Sequence, residues 1–428
     1  MRFALVCVLL LLAPAGVGLV GPAAAQSTAP CAGTIDSPAQ GVTVVSVQGA
    51  RFDTSPAKKT TARLVGFGPR GEIKWVYETP RSLVWSYDVD PLPNGNLFVT
   101  GTRPDETVFF EFDPRTQERV WTEVLPLVDT HDADLLPDGR IAIANMRAYD
   151  ESADRNDDRL LIYNRTSEEY EQEWLFREHF SKEIGGQYED DWTHVNDIDR
   201  VNAHEYLLSP RNFDVVILVN VTSGEVVHQL GEYGNHAVLE KQHNPVLLDD
   251  ETILVADSDN NRVAEYRFDG EEWERTWTLG SRETLHWPRD ADRLPNGNTL
   301  VGDSKHNRVL EVTPEGEVVW EAYAPWLVYD VERVPYGDEA GGPTIAEQGA
   351  EGRYAVTGGD VWSTAKQEAC VEALKAVGPN EVRQVSGAGG TEVQPRSATP
   401  TRGAGAGFGA ALALATVGLA VLARAHSE

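Results

Sequence analysis

Between about residues 60 and 335 the apolar and polar positions of the chain follow one recurring pattern. An acidic or polar pair leads into an apolar residue, then Leu-Pro or its equivalent, then a turn, then a short alternating run. Asp88-Val89-Asp90-Pro91-Leu92-Pro93-Asn94-Gly95 is the first copy, and Asp132-Ala133-Asp134-Leu135-Leu136-Pro137-Asp138-Gly139 the second. Looser copies begin at Asp197, Asn244 and Asp330, and the clearest is Asp290-Ala291-Asp292-Arg293-Leu294-Pro295-Asn296-Gly297. Successive starts are 44, 65, 47, 46 and 40 residues apart. Asn-Gly and Asp-Gly between short apolar runs are hairpin turns, and alternation with period two marks half-buried strands.

Each unit then offers further strands. Ile141–Ala144, Ile253–Ala256 and Thr299–Gly302 follow the turns, Arg308–Val312 is typical of a third strand, and Val318–Tyr323 of a fourth. The fourth often carries tryptophan, as at Trp75, Trp121, Trp277 and Trp320. Four strands per unit at this period predict propeller blades rather than a helical solenoid. The sixth copy lacks clear later strands, and Arg63–Phe67 and Ile73–Tyr77 are expected to supply its third and fourth. The expected fold is therefore all-β: a six-bladed β-propeller over residues 26–350, closed by N-terminal strands so that no sheet edge stays open. The 65-residue interval holds an insertion, roughly 149–158 and 177–191, a candidate face loop or lid.

The termini read differently. Residues 1–25 have one basic residue, an apolar run and Ala23-Ala24-Ala25, the pattern of a cleaved secretory signal, with an uncleaved anchor helix as the alternative. Residues 351–403 read as an extension and a Gly/Ser/Thr/Pro-rich flexible linker. Residues 404–423 are uncharged and long enough to span a bilayer, with Arg424 beyond. The tail also resembles an archaeal PGF-type sorting signal, in which the helix is exchanged for lipid, although Ala406 stands where that pattern has Pro. The expected location is the outer cell surface, with the propeller outside and the membrane reached through the tail.

Asp and Glu number 67 against 37 Lys and Arg, for a net charge of −30. That balance excludes binding nucleic acid through bulk charge. The acidic residues are scattered, as on the solvated surfaces of halophilic proteins. Lysines number eight, so the cations that remain are mostly arginines, whose planar fork suits oxyanions. Cys31 and Cys370 flank the repeats and could pair in an oxidising exterior. Asn164-Arg165-Thr166 and Asn220-Val221-Thr222 are glycosylation sequons.

The first strand of each propeller blade lines the central channel. Aligning the copies places Tyr87, His131, Asn196, His243, Arg289 and Tyr329 at the start of those strands, with His194 two residues ahead of Asn196 and His286 three ahead of Arg289. A ring of imidazole, guanidinium, amide and phenol groups suits an anionic, aromatic ligand. Zinc held by His131, His194 and His243 is the competing chemistry, although no HxH or HxxxH spacing is present.

Three segments in this order resemble the PAPS-independent arylsulfate sulfotransferases, in an archaeal-type, surface-anchored form. They are Thr130-His131-Asp132, then Trp192-Thr193-His194-Val195-Asn196 with Leu208-Ser209-Pro210-Arg211-Asn212, then Gln242-His243-Asn244. The resemblance implies a six-bladed propeller that moves a sulfuryl group from an aryl sulfate to a phenol without a cofactor. It implies that His243 becomes a sulfohistidine, that His194, Arg211 and Asn196 hold the sulfuryl oxygens, and that His131 handles the phenolic proton. Arg289, Tyr87 and Tyr329 are expected to bind substrate. A second resemblance points elsewhere. Val255–Val263 and Val301–Val309 are similar to NHL repeats, in which Asp, Asn and Arg stabilise turns and bridge blades, and this leaves open a non-enzymatic surface propeller that binds an anionic or aromatic ligand.

Overall fold

The computed structural model describes residues 29–377, apart from 49, 52–57, 60, 81–82, 84 and 339–340. The expected signal at 1–25 and the apolar tail at 404–423 lie outside these residues. Among the described residues no helix is long and apolar enough to cross a membrane.

The chain is all-β and propeller-like, built from antiparallel sheets whose strands follow one another in sequence. Ala133–Leu135, Ile141–Asn145, Arg159–Asn164 and Glu169–Leu175 form one four-stranded sheet, and Val195–Arg200, Glu205–Pro210, Val215–Asn220 and Val226–Gly231 the next. The sheet that starts at His243–Asp249 gains a fifth, parallel strand from Gly352–Tyr354. The sheet that starts at Pro288–Arg293 gains its fifth strand from Ala32–Ile35. The extension expected from residue 351 thus begins with a strand added to a sheet and continues into the helix Thr364–Val377.

An eight-stranded sheet joins the two ends of the repeat. It divides at a single residue pair, Gln48 with Trp85. One half is Trp85–Pro91, Leu97–Arg103, Glu106–Asp113 and Glu118–Leu125. In the other half Leu327–Val334 pairs with Val42–Gln48, which pairs with Arg63–Phe67, which pairs with Ile73–Glu78. The N-terminal segment therefore supplies three strands to the Asp330 copy, one more than its pattern predicts. The additional strand, Val42–Gln48, is buried along nearly its whole length.

The repeated aspartates explain how the sheets hold together. Asp132 Oδ2 accepts the Ile198 N–H of the following unit at 2.6 Å. Asp290 accepts the Val331 N–H at 2.8 Å, and Asp330 the Val89 N–H at 2.8 Å. In these three copies the first acidic residue is thus a tie from one inner strand to the next, satisfying a buried donor that the strand geometry would otherwise leave unpaired. The two NHL-like turns act farther out. Arg262 pairs with Asp257 at 2.6 Å and reaches the Val238 carbonyl. Arg308 pairs with Asp303 at 2.9 Å and reaches the Thr284 carbonyl. Cys31 and Cys370 are joined in a disulfide across 339 residues of sequence.

Candidate active site

All six residues expected at the strand starts converge at one end of the inner strands. Tyr329 is the hub. Its ring lies 4.8 Å from Tyr87, 5.6 Å from His131 and 6.0 Å from His243, centre to centre, and the Arg289 guanidinium sits 4.5 Å from it. The Tyr329 hydroxyl meets His131 Nδ1 at 3.1 Å and donates to the Asn196 carbonyl at 3.3 Å. Tyr87 stacks on His131 at 3.9 Å, and His194 stands edge-on to His131 at 5.0 Å. Tyr87, His131, Asn196, His243, Arg289 and Tyr329 are all buried. His286 lies apart, against His306.

Arg211 is delivered by main-chain pairing. Its N–H donates to the His194 carbonyl, and the Asn212 N–H to Thr193. That brings the Ser209–Asn212 segment alongside Thr193-His194, so two motifs separated in sequence become one wall. Arg211 is largely desolvated and its Nε has no partner. The Asn196 Oδ1 is likewise buried and unpartnered, while its Nδ2 donates to the Gln242 carbonyl at 3.0 Å. A buried guanidinium N–H left without an acceptor is a ready donor for an incoming oxyanion.

The environment of His243 fixes its tautomer. Nδ1 lies 3.1 Å from the Lys241 carbonyl and 2.8 Å from Ser258 Oγ. The Ser258 hydroxyl itself donates to the Pro288 carbonyl at 2.6 Å. Two acceptors therefore face Nδ1, which must carry the proton, and the lone pair is on Nε2. Among the described residues nothing hydrogen-bonds to that nitrogen. Burial, followed by the charges of Arg211 and Arg289, holds the imidazole well below the ordinary histidine range, hence neutral at neutral pH.

His194 also has its Nδ1 against an acceptor, here a carboxylate. Its Nδ1 is 2.7 Å from Asp191. Burial and then Arg211 lower its pKa, with Asp191 opposing them. Asp191 is held well down despite burial, first by the hydrogen bond to His194 and then by the charges of His194 and Arg147. His131 is held well below the usual range by burial, then by His194 and His243. Arg289 is lowered to about 10 by burial, so it remains a cation, and it is anchored on Gln48 at 3.0 Å.

Beside His194, which alignment of the copies already singles out, the structure adds Asp129, Lys241 and Trp287. Asp129, His194, Lys241 and Trp287 each stand two residues before a ring position, and each has positive φ, between 44° and 58°. Left-handed backbone at non-glycine residues is strained and collects where a scaffold over-determines it, commonly at functional sites. Here it turns one more side chain toward the mouth in four of the six units. Asp129 accepts from Tyr87 Oη at 2.9 Å and from Arg147 Nε at 2.9 Å. Trp287 stacks edge-on to His243 at 6.0 Å and is covered by Lys305 at 4.1 Å. The insertion reaches the same rim, because Asp191 belongs to it and Arg147 ties Asp129 to Asp190 and Asp191.

Zinc finds no common ligand set here. Each histidine Nδ1 is already directed at Tyr329, Asp191 or Ser258, and the groups whose ligand atoms lie within 4.8 Å of one another consist, among the described residues, of carboxylates elsewhere. What remains is a neutral imidazole with a free Nε2 beside two buried guanidinium groups, two further imidazoles and aromatic faces.

The arylsulfotransferase (ASST) family profile matches residues 44–281, a span that includes Tyr87, His131, His194, Asn196, Arg211 and His243. Similar solved structures include a protein of unknown function from Bacteroides caccae, 15% identical, covering 69% of this chain and 98% of its own, with a TM-score of 0.49. The periplasmic gluconolactonase of Pseudomonas aeruginosa is 14% identical over 68% of this chain and 98% of its own, with a TM-score of 0.45. The WD40 β-propeller domain of Doa1 is 12% identical over 72% and 91%, with a TM-score of 0.44. No curated protein matches the chain.

Proposed function

Because this chain belongs to the arylsulfotransferase (ASST) family, we propose that it moves a sulfuryl group from an aryl sulfate to a phenol through a sulfohistidine at His243. The observation that carries the reading is the locked tautomer of His243, with Nδ1–H held by Lys241 and Ser258 and Nε2 free. The Nε2 lone pair attacks sulfur, the N–S bond forms and the S–O(aryl) bond breaks. The leaving phenoxide takes a proton delivered through His131, with Tyr329 as the hydroxyl beside it. In the second half an acceptor phenol returns that proton to His131, its oxygen attacks sulfur, and the N–S bond breaks. Arg211, His194 in its protonated form balanced by Asp191, and the second Nδ2–H of Asn196 hold the three sulfuryl oxygens as charge builds on them. Arg289, Tyr87, Tyr329 and Trp287 form the aromatic and cationic rim for the aryl group. The balance is complete without nucleotide or redox partner.

His131 is neutral in the free site, which suits the base half of this cycle. For the acid half, an anionic donor between Arg211 and Arg289 offsets the cationic field that now depresses it and raises its proton affinity. The same reading takes the six four-stranded groups as the blades of a closed ring, with the sixth completed from both ends of the repeat. It also puts the domain outside the cytoplasm, a placement the buried disulfide favours.

Incubation with a chromogenic aryl sulfate and a phenol in high salt should release the donor phenol. His243→Ala should release none. After donor alone, the peptide holding His243 should gain about 80 Da and lose it in acid. Equal turnover by the variant would remove His243 from the nucleophile's place. Saturable binding of donor without product or adduct would favour a binding propeller instead.

A further inference from the structure

A second polar cluster lies inside the channel, beyond the histidine ring. Asp290 and Asp292 alternate on Pro288–Arg293, and Asp330 and Glu332 alternate on the neighbouring inner strand Leu327–Val334, so both pairs face the same interior. All four are buried. Single ligand atoms of Asp290, Asp292 and Glu332 lie within 4.8 Å of one another, and so do those of Asp290, Asp330 and Asp338.

Two observations point past mere acidity. Asp292 is 0% exposed and neither of its oxygens has a hydrogen-bond partner, while Glu332, 1% exposed, has only another carboxyl, that of Asp338, beside it. The nearest arginines of the same strands turn away, Arg293 to Glu265 at 3.0 Å and Arg333 to Glu311 at 2.8 Å. Among the described residues none of the five carboxylates forms an ion pair with a lysine or arginine. An unpaired buried carboxylate costs several kcal/mol, so this cluster must be neutralised by something. Oxygens around a calcium-sized ion sit at about 2.3–2.6 Å from it, so those on opposite sides are about 5 Å apart. The observed spread fits that sphere, and Asp290, common to both groups, would bridge them.

We propose that the channel binds a divalent cation of calcium size through Asp290, Asp292 and Glu332, with Asp330 and Asp338 completing the oxygen shell. Ion and ligands would cross-link the inner strands of two adjacent sheets, adding to the Asp290 to Val331 hydrogen bond and to the packing of Arg289 on Tyr329.

The full chain, dialysed against chelator, should bind about one Ca2+ per molecule by calorimetry, and its melting temperature should rise with Ca2+ and fall back with EGTA. Asp292→Asn and Glu332→Gln should each lose at least about tenfold in Ca2+ affinity. If either variant fails to fold, Ca2+ uptake by the dialysed wild type decides alone. No uptake by the wild type at millimolar Ca2+, unchanged affinity in a folded variant, or a response to Mg2+ or Na+ but not to Ca2+ would each overturn the proposal, the first leaving shared protons as the neutralising agent.

Discussion

At the scale of single residues, the chemistry of the mouth is a question of which nitrogen carries a proton. His243 is kept neutral by burial first and by Arg211 and Arg289 second. A depressed histidine pKa means that the unprotonated, nucleophilic form persists as pH falls below 6.5, the usual value for histidine. The acid limb of kcat/KM is therefore expected below pH 6.5. A limb at or above that value would show that His243 is not depressed, or not the group that must be neutral. The ring residues themselves are legible in the sequence, because each directly precedes the acidic or polar residue that opens its copy of the repeat. Ser258 is not. It sits in an NHL-like turn that reads as structural, and it does tie one unit to the next through Pro288, yet the same hydroxyl sets the tautomer of His243. Asp191 and Arg147 are equally silent, since their place depends on how the insertion folds back.

At the scale of elements, the repeated aspartate is a hydrogen-bond acceptor before it is a charge. Asp132 receives the Ile198 N–H, and burial raises its carboxyl to about 7. Asp132→Ala would leave that N–H buried without a partner and should cost about 1–3 kcal/mol. Asp132→Asn keeps an accepting oxygen and removes a poorly solvated acid, so it should cost less than about 1 kcal/mol. Urea unfolding of the two variants separates the roles, and an asparagine variant as damaged as the alanine one would mean that the charge itself matters. The strand pattern shows the converse limit. Arg63–Phe67 and Ile73–Glu78 lie where the pattern expects strands, although Arg63–Phe67 is buried along most of its length. Val42–Gln48 lies ahead of the stretch that carries the repeat, so the pattern does not reach it, although it pairs on both sides, with Leu327–Val334 and Arg63–Phe67.

At the scale of the molecule, the two ends of the repeat are held by different means. Hydrogen bonding joins Val42–Gln48 to Leu327–Val334, and covalent chemistry joins Cys31 to Cys370. The disulfide lies in an apolar cluster with Phe67, Val76, Trp320 and Ala322, at the seam between the sheet of Pro288–Arg293 and the strands Arg63–Phe67 and Ile73–Glu78. Nearby, Trp362 donates to Glu321 at 2.9 Å and stacks on Tyr323. Closing a loop this long restricts the unfolded chain, a stabilisation on the order of 5 kcal/mol in the chain-entropy picture. The site residues belong mostly to sheets remote from this seam. Cys31→Ser with Cys370→Ser should therefore lower the unfolding free energy substantially while leaving turnover near the wild-type rate in the absence of denaturant. Hydrogen exchange should rise first in Ala32–Ile35 and Thr364–Val377, with Val195–Arg200 and His243–Asp249 still protected. Uniform loss of protection would mean that the disulfide secures the whole ring rather than its seam. Loss of turnover in a variant that remains folded would mean that the seam governs the geometry of the mouth, through Gln48 and its bond to Arg289.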